Sequence, residues 1–187
     1  MMLKAPSSLL LIVDAQAGLA RAVEAAALRI HRTRLLLAAA HRLAIPVIVS
    51  EQYPEGLGHT DPRLLPDLGD ATVLPKRAFS CWREPILREA IEAAGRRQIV
   101  VCGMETHVCV QQTALDLVAA GFATHIAADA AGSRREEDRS LGLERLRRHG
   151  CDIVTSEMVV FEWLERGEGD AFKALIPHIK ASGEVPD

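Results

Sequence analysis

Short apolar runs recur along the chain, with enough residues between most of them for a helix. Leu9 to Val13 is an unbroken run ending at Asp14, and Gln98 to Cys102 is another ending at Gly103. With weaker runs they predict strands near 8–13, 45–50, 72–74, 98–102, 123–128 and 152–155. The intervening segments read as helices. Pro85 opens Ile86 to Ala94 and Gly95 closes it, while Ser133-x-x-Glu136 has the form of a capping box for a helix running towards His149. The stretch from about Ala20 to Leu43 is rich in Ala and Leu on more than one side. It predicts one long helix packed on the sheet and on a second subunit, hence a homo-oligomer. Strands alternating with helices imply the α/β class: a three-layer αβα sandwich around a six-stranded, mainly parallel, Rossmann-like sheet. No linker, repeat or low-complexity segment divides residues 1–187, so one domain is expected, with a frayed polar tail from Ala181.

A length of 187 residues suits one domain with a sizeable core, and composition narrows the function by exclusion. The formal charge of −3 comes without a basic stripe. Arg134-Arg135 and the arginines from Arg145 to Arg148 are interleaved with Glu136, Glu137 and Glu144, the pattern of a solvated helix face, so no nucleic-acid partner is expected. Leu9 to Val13 is too short for a signal-peptide core, and no longer apolar stretch suits a bilayer. The expectation is a cytoplasmic protein with no membrane partner. Cys81, Cys102, Cys109 and Cys151 show no paired spacing, which argues against a disulfide framework and puts Cys102 in the core.

The most informative segment is Val101-Cys-Gly-Met-Glu-Thr-His-Val-Cys-Val110, a buried strand running into a helix. With Thr106 as N-cap, Cys109 takes the third helical position. There free backbone N–H groups and the helix dipole favour a thiolate. A cysteine taken at random is a small buried apolar residue, but a strand-to-helix switch favours chemistry. Asp14 and Lys76 follow other strands, and a parallel sheet brings its strands' carboxyl ends to one edge. Singly, Asp14 reads as a helix cap and Lys76 as a solvated loop residue. Together the three supply nucleophile, general base and cation.

These residues, with Ser50-Glu-Gln-Tyr-Pro-Glu-Gly-Leu-Gly58, Gly103-Met-Glu-Thr-His-Val-Cys-Val-Gln-Gln-Thr-Ala-Leu115 and the stretch from Ala128-Asp129-Ala130 to Leu146, carry a resemblance. Over nearly its whole length the chain resembles the isochorismatase-like cysteine hydrolases, and among them the isochorismatase-domain-containing proteins. The resemblance implies that Asp14, Lys76 and Cys109 are the catalytic residues. It implies a cis Met104–Glu105 peptide that turns the Glu105 N–H beside the Cys109 N–H as an oxyanion hole. Having Cys109 argues against true isochorismate hydrolysis. Ser50-Glu51-Gln52-Tyr53 lacks the Asp-x-His of nicotinamidase-type members, so no metal and no other cofactor are expected, although His59, Asp61 and His107 are conceivable ligands.

Aromatic residues are only 4% of the chain, yet Tyr53, Phe79 and Trp82 fall in loops expected at the carboxyl edge. They read either as walls for a small planar or apolar acyl group, with His107 and Gln16 beside it, or as ordinary loop packing. In this reading Gln16 orients Asp14, and Cys81 is an exposed loop thiol. The expected reaction is hydrolysis of a small-molecule amide or related acyl bond through a Cys109 thioester. The alternative is a redox-sensing or scaffolding protein that keeps the fold and a reactive Cys109 without turnover. A cysteine phosphatase is excluded: position 115, six after Cys109, is Leu where that chemistry needs arginine.

Overall fold

A computed structural model of the chain describes residues 1–182. Its strands are β1 (Ser8–Val13), β2 (Val47–Gln52), β3 (Thr72–Lys76), β4 (Gln98–Met104), β5 (Ala123–Gly132) and β6 (Asp152–Val154). They form one sheet in the order β3-β2-β1-β4-β5-β6, with every neighbouring pair parallel. The helices are α1 (Ala17–Ala20), α2 (Ala26–Arg42), α3 (Pro54–Leu57), α4 (Pro85–Ala93), α5 (Gln111–Ala119), α6 (Glu136–Arg148), α7 (Ser156–Leu164) and α8 (Gly169–Ser182).

β1 explains the three layers. All six of its residues are buried because side chains alternate between two covered faces. Leu10 and Ile12 meet Ile30, Leu36, Leu37 and Val160 from α2 and α7. Leu9, Leu11 and Val13 meet Leu87, Ile91, Val110, Leu117 and Leu146 on the opposite face. Several strands run further towards the carboxyl edge than their apolar runs. Ser50, Glu51 and Gln52 pair with Leu74, Pro75 and Lys76, and Pro75 is tolerated because β3 is an edge strand. Gly103 is required where β4 leaves the sheet: its φ is 114°, and a Cβ there would lie 1.9 Å from the Val13 carbonyl oxygen.

Four local expectations are corrected. The stretch from Ala20 to Leu43 is not one helix. It breaks at residues 21–25, where Ala25 takes φ 53° and the Glu24 N–H donates to the Ser133 carbonyl at 3.0 Å. Nor is its second apolar side left for another subunit, since α7 and α8 cover it within the chain. The Ser133–Glu136 capping box does not form. Arg135 is the N-cap of α6, the Glu136 N–H donates to the Glu24 carboxylate, and the Ser133 hydroxyl pairs with the His107 ring. Finally, Ala181 and Ser182 complete α8 rather than fraying, and the rest of the expected tail lies outside the described residues.

Candidate active site

Asp14, Lys76 and Cys109 converge at the carboxyl edge. Asp14 is the first residue after β1, in the left-handed region at φ 49°, with its N–H on the Ser50 carbonyl at 3.0 Å. Its carboxylate has two separate donors: Lys76 Nζ at 2.7 Å from Oδ2, and Ser50 Oγ at 2.7 Å from Oδ1. Both side chains of the Asp14–Lys76 ion pair are fully enclosed. Lys76 also donates to Gln52 Oε1 at 2.6 Å and to the carbonyls of Ala78 and Phe79 at 3.2 and 3.1 Å. The 76–79 turn therefore wraps the ammonium, leaving Lys76 a buried, hydrogen-bonded cation rather than a solvated loop residue.

Cys109 sits in a π turn, Thr106–Val110, between β4 and α5. The cap is Glu105 rather than Thr106, with the Val108 and Val110 N–H groups both on the Glu105 carbonyl. The Thr106 hydroxyl is buried with no hydrogen-bond partner among the described residues. The expected helix-start thiolate is overturned. Burial pushes the Cys109 thiol well above its ordinary range, the Asp14 carboxylate adds to that, and Lys76 offsets only part. That direction favours the thiol form of Cys109, beside the Asp14 carboxyl group that Lys76 holds. Burial also raises the Asp14 pKa, against the lowering by Lys76 and Ser50, which makes Asp14 a better proton acceptor than a solvated carboxylate. Lys76 is raised as well: burial works to lower it, but Asp14, Cys109 and Cys81 together outweigh that.

The Met104–Glu105 peptide is cis. The Glu105 side chain accepts from the Arg134 N–H and Nε, both at 3.0 Å.

A profile of the isochorismatase domain matches residues 8–158. The chain belongs to the isochorismatase family. It is 47% identical over 148 residues to isochorismatase domain-containing protein 1 of Danio rerio, covering 79% of this chain and 52% of that one. To isochorismatase domain-containing protein 2 of Xenopus laevis it is 39% identical over 140 residues, covering 75% and 67%. It thus spans about half the length of the first of these relatives. Among solved structures it is similar to the MAR1 ribonuclease from Caenorhabditis elegans, with a TM-score of 0.92 and 31% identity over 100% of this chain and 95% of that one. It is also similar to the YcaC gene product of Escherichia coli, described as an octameric hydrolase of unknown specificity, with a TM-score of 0.86 and 25% identity over 97% and 94%.

The remaining sequence-derived site residues divide in this isochorismatase-family chain. Tyr53 and Phe79 are tied to Lys76 through their backbones. Tyr53 follows β2 with its N–H on the Lys76 carbonyl and Arg77 stacked 4.1 Å from its ring centroid, and the Phe79 carbonyl binds the Lys76 ammonium. Their side chains are exposed, 45% and 54% of each residue reaching solvent. Trp82 does not join them. Its ring packs edge-to-face on Phe122, just before β5 and so at the opposite edge of the sheet. His107 is held by partners outside the Asp14, Lys76 and Cys109 group, its Nδ1 3.0 Å from Ser133 Oγ and its Nε2 4.0 Å from Asp138 Oδ2. Gln16 orients the loop rather than Asp14: its amide donates to the carbonyls of Gln52 and Gly58 and accepts from the Gln52 N–H. His59 Nδ1 is 2.9 Å from Glu51, and Arg63 forks onto Asp61. Among the described residues no group of three or more His, Cys, Asp or Glu is arranged to hold a metal ion.

Sequence reasoning missed Ser50, Gln52 and the true place of Cys81. Cys81 is completely buried, with its N–H 2.9 Å from Thr113 Oγ1, one helical turn beyond Cys109. There burial, with the Asp14 charge adding to it, pushes its thiol up to about 11. The usable signal for Ser50 was a polar residue ending a buried apolar run. It pairs in register with Val13, next to Asp14.

Proposed function

We propose that this chain is a cysteine hydrolase of small-molecule amides or related acyl compounds, working through a Cys109 thioester. The observation that carries the reading is the enclosed Lys76–Asp14 ion pair facing the Cys109 thiol. As Cys109 attacks the acyl carbon, Asp14 accepts the thiol proton and returns it to the leaving amine. It then takes a proton from the water that opens the thioester. Lys76 keeps its charge throughout and balances the one negative charge that Asp14 and Cys109 share. The backbone N–H groups of Glu105 and Cys109 are the proposed donors to the oxyanion, and Tyr53 and Phe79 the proposed walls for the acyl group. The reading invokes no metal or other cofactor.

Because a similar structure is described as a ribonuclease, phosphodiester cleavage is the competing chemistry. The acyl reading is favoured here because a thiol paired with a lone carboxylate suits a carbonyl carbon, and the formal charge of −3 gives little attraction for a polyanion. We also propose self-association in a cytoplasmic setting. It rests on the octameric description of one similar structure and on exposed Leu141, Met158 and Phe161. Among the described residues no helix is long and apolar enough to cross a membrane.

The test is a panel of small amides, activated acyl esters and a short RNA, followed by intact mass. A mass increment on Cys109 that is lost in Cys109→Ala supports the reading. RNA cleavage that survives Cys109→Ala, with no acyl adduct from any compound, would favour the ribonuclease chemistry. Alkylation of Cys109 without acylation would favour a redox-sensing or scaffolding role.

A further inference from the structure

Glu105 carries a buried carboxylate that the proposed mechanism leaves unused, and its surroundings give that carboxylate a task. Only 9% of the side chain reaches solvent. The β4–β5 ladder ends with Met104 opposite Gly132, and just beyond it a side chain takes over from the backbone. Glu105 Oε1 accepts both the Arg134 N–H and Arg134 Nε, each at 3.0 Å. Glu105 is thereby fastened to the segment that follows β5. The same residue begins the turn that carries Cys109, since its carbonyl accepts from the Val108 N–H at 3.0 Å and the Val110 N–H at 3.2 Å. A second tie joins the two segments without passing through Glu105. His107 Nδ1 lies 3.0 Å from Ser133 Oγ, and α6 comes so close to the turn that a Cβ on Gly142 would lie 3.2 Å from the His107 Cα. The π turn thus has a hold of its own, while the Glu105 peptide has the carboxylate anchor.

We propose that the Glu105 side chain is a positioning group: anchored on Arg134, it fixes the peptide whose N–H, with that of Cys109, meets the acyl oxygen. The inference rests on the reading of those two N–H groups as the oxyanion donors. A donor stabilises the transition state only when it is already aimed at the place where charge develops, so freedom of this peptide lowers the rate rather than the binding. The two donors to Oε1 are unequal. Arg134 Nε belongs to a side chain that is 58% exposed, where a charge pair contributes little, whereas the Arg134 N–H is held in place by the main chain itself. What the anchor needs at position 105 is an acceptor, and a neutral amide oxygen supplies one.

The experiment compares two reactions of Cys109 in the full chain, each followed by intact mass and located by peptide mapping. Acylation by an activated ester passes through an oxyanion, whereas carbamidomethylation by iodoacetamide displaces iodide at a saturated carbon and forms none. Glu105→Ala is expected to lower the acylation rate constant at saturating ester about tenfold to a hundredfold, less than deleting a donor would, because the N–H remains. KM and the alkylation rate should stay within about twofold of wild type, since neither depends on the oxyanion. Glu105→Gln should recover most of the loss. Arg134→Ala, which keeps the main-chain donor, should slow acylation about threefold and leave alkylation unchanged. A Glu105→Ala protein that acylates like wild type overturns the proposal. So does one in which acylation and alkylation fall together, the mark of a merely structural tie, or a Glu105→Gln protein as slow as Glu105→Ala. If Glu105→Ala does not fold, Arg134→Ala decides: slower acylation with unchanged alkylation supports the anchor, and any other pattern overturns it. A wild-type protein that is alkylated at Cys109 but acylated by no ester would instead remove the oxyanion reading itself, and the proposal with it.

Discussion

Lys76 Nζ and Asp14 Oδ2 lie 2.7 Å apart with neither side chain reaching solvent. An enclosed pair of this kind is costly to break on one side, because the surviving charge is left without a partner. Lys76→Met should therefore cost about 3–5 kcal/mol, and Asp14→Asn with Lys76→Met should recover most of it. Urea unfolding of the two single variants and the double variant measures this. A double-variant change equal to the sum of the two single changes would mean the charges are not coupled. The sign with pH also follows. Lys76 is raised above its ordinary 10.5, so its contribution is full below that value and is lost as pH climbs through the raised one. Wild type should lose stability in alkali above about pH 10 through this group, and the double variant should not.

Cys109 and Cys151 make an internal control for the electrostatics. Both thiols are almost enclosed, but Cys151 is raised, to about 11, by burial alone, whereas Cys109 also feels Asp14 and Lys76. In Lys76→Met, assayed under native conditions, Cys109 labelling should slow at least tenfold. The Cys151 rate should not change. Peptide mapping that shows Cys109 inert in wild type while Cys151 reacts would remove the case for a reactive Cys109.

The strand ends were legible because runs such as Leu9 to Val13 stop abruptly at a polar residue, and parallel topology then fixes which ends share an edge. Asp14, Lys76 and Cys109 were found that way. What failed depended on side chains that leave no periodic trace. Trp82 and Tyr53 lie in equivalent-looking loops, yet Phe122 captures Trp82 for the far edge. The Ser133–Glu136 spacing fits a cap, but His107 and Glu24 arrive from elsewhere in the chain and take both partners. The thiolate expectation failed for a different reason. It weighed the helix start without the burial, and for a sulfur this enclosed desolvation is the larger effect.

The division between Trp82 and the two proposed acyl-wall aromatics, Tyr53 and Phe79, can be measured. Trp82→Ala removes an edge-to-face contact and its buried area, so its Tm should fall by several degrees, while Cys109 acylation by an activated ester stays within about twofold of wild type. Tyr53→Ala and Phe79→Ala remove exposed rings. They should leave Tm nearly unchanged and slow acylation through a higher KM. A Trp82→Ala protein that is stable but poorly acylated would return Trp82 to the acyl pocket.

Gly103 and Gly95 separate a steric requirement from a conformational one. Both have positive φ, but a Cβ on Gly95 meets nothing, whereas on Gly103 it would strike the Val13 carbonyl. Gly95→Ala should cost about 1 kcal/mol, the left-handed penalty alone. Gly103→Ala should cost more than about 4 kcal/mol or fail to give folded protein, since β4 must move off β1 to make room. Equal costs in denaturant unfolding would mean that the approach of β4 to β1 is softer than 1.9 Å implies.

The leaving group decides what Asp14 contributes. An amide nitrogen departs only when protonated, and in the proposed mechanism Asp14 returns to it the proton taken from Cys109. A phenolate departs without help. Asp14→Asn keeps the shape and the Ser50 partner but can neither accept nor return a proton. Its acyl-enzyme formation should fall by about 10²–10⁴ on an amide substrate and by far less on an activated ester of the same acyl group. Deacylation should slow for both, because the hydrolytic water loses the same base, so the ester should accumulate a thioester on Cys109 that wild type clears. Intact mass against time, with the amide and ester in parallel, reads all three quantities. Equal losses on amide and ester would show that Asp14 supports the thiol alone and does not serve the leaving group. An undiminished rate on the amide would place the base elsewhere in the site.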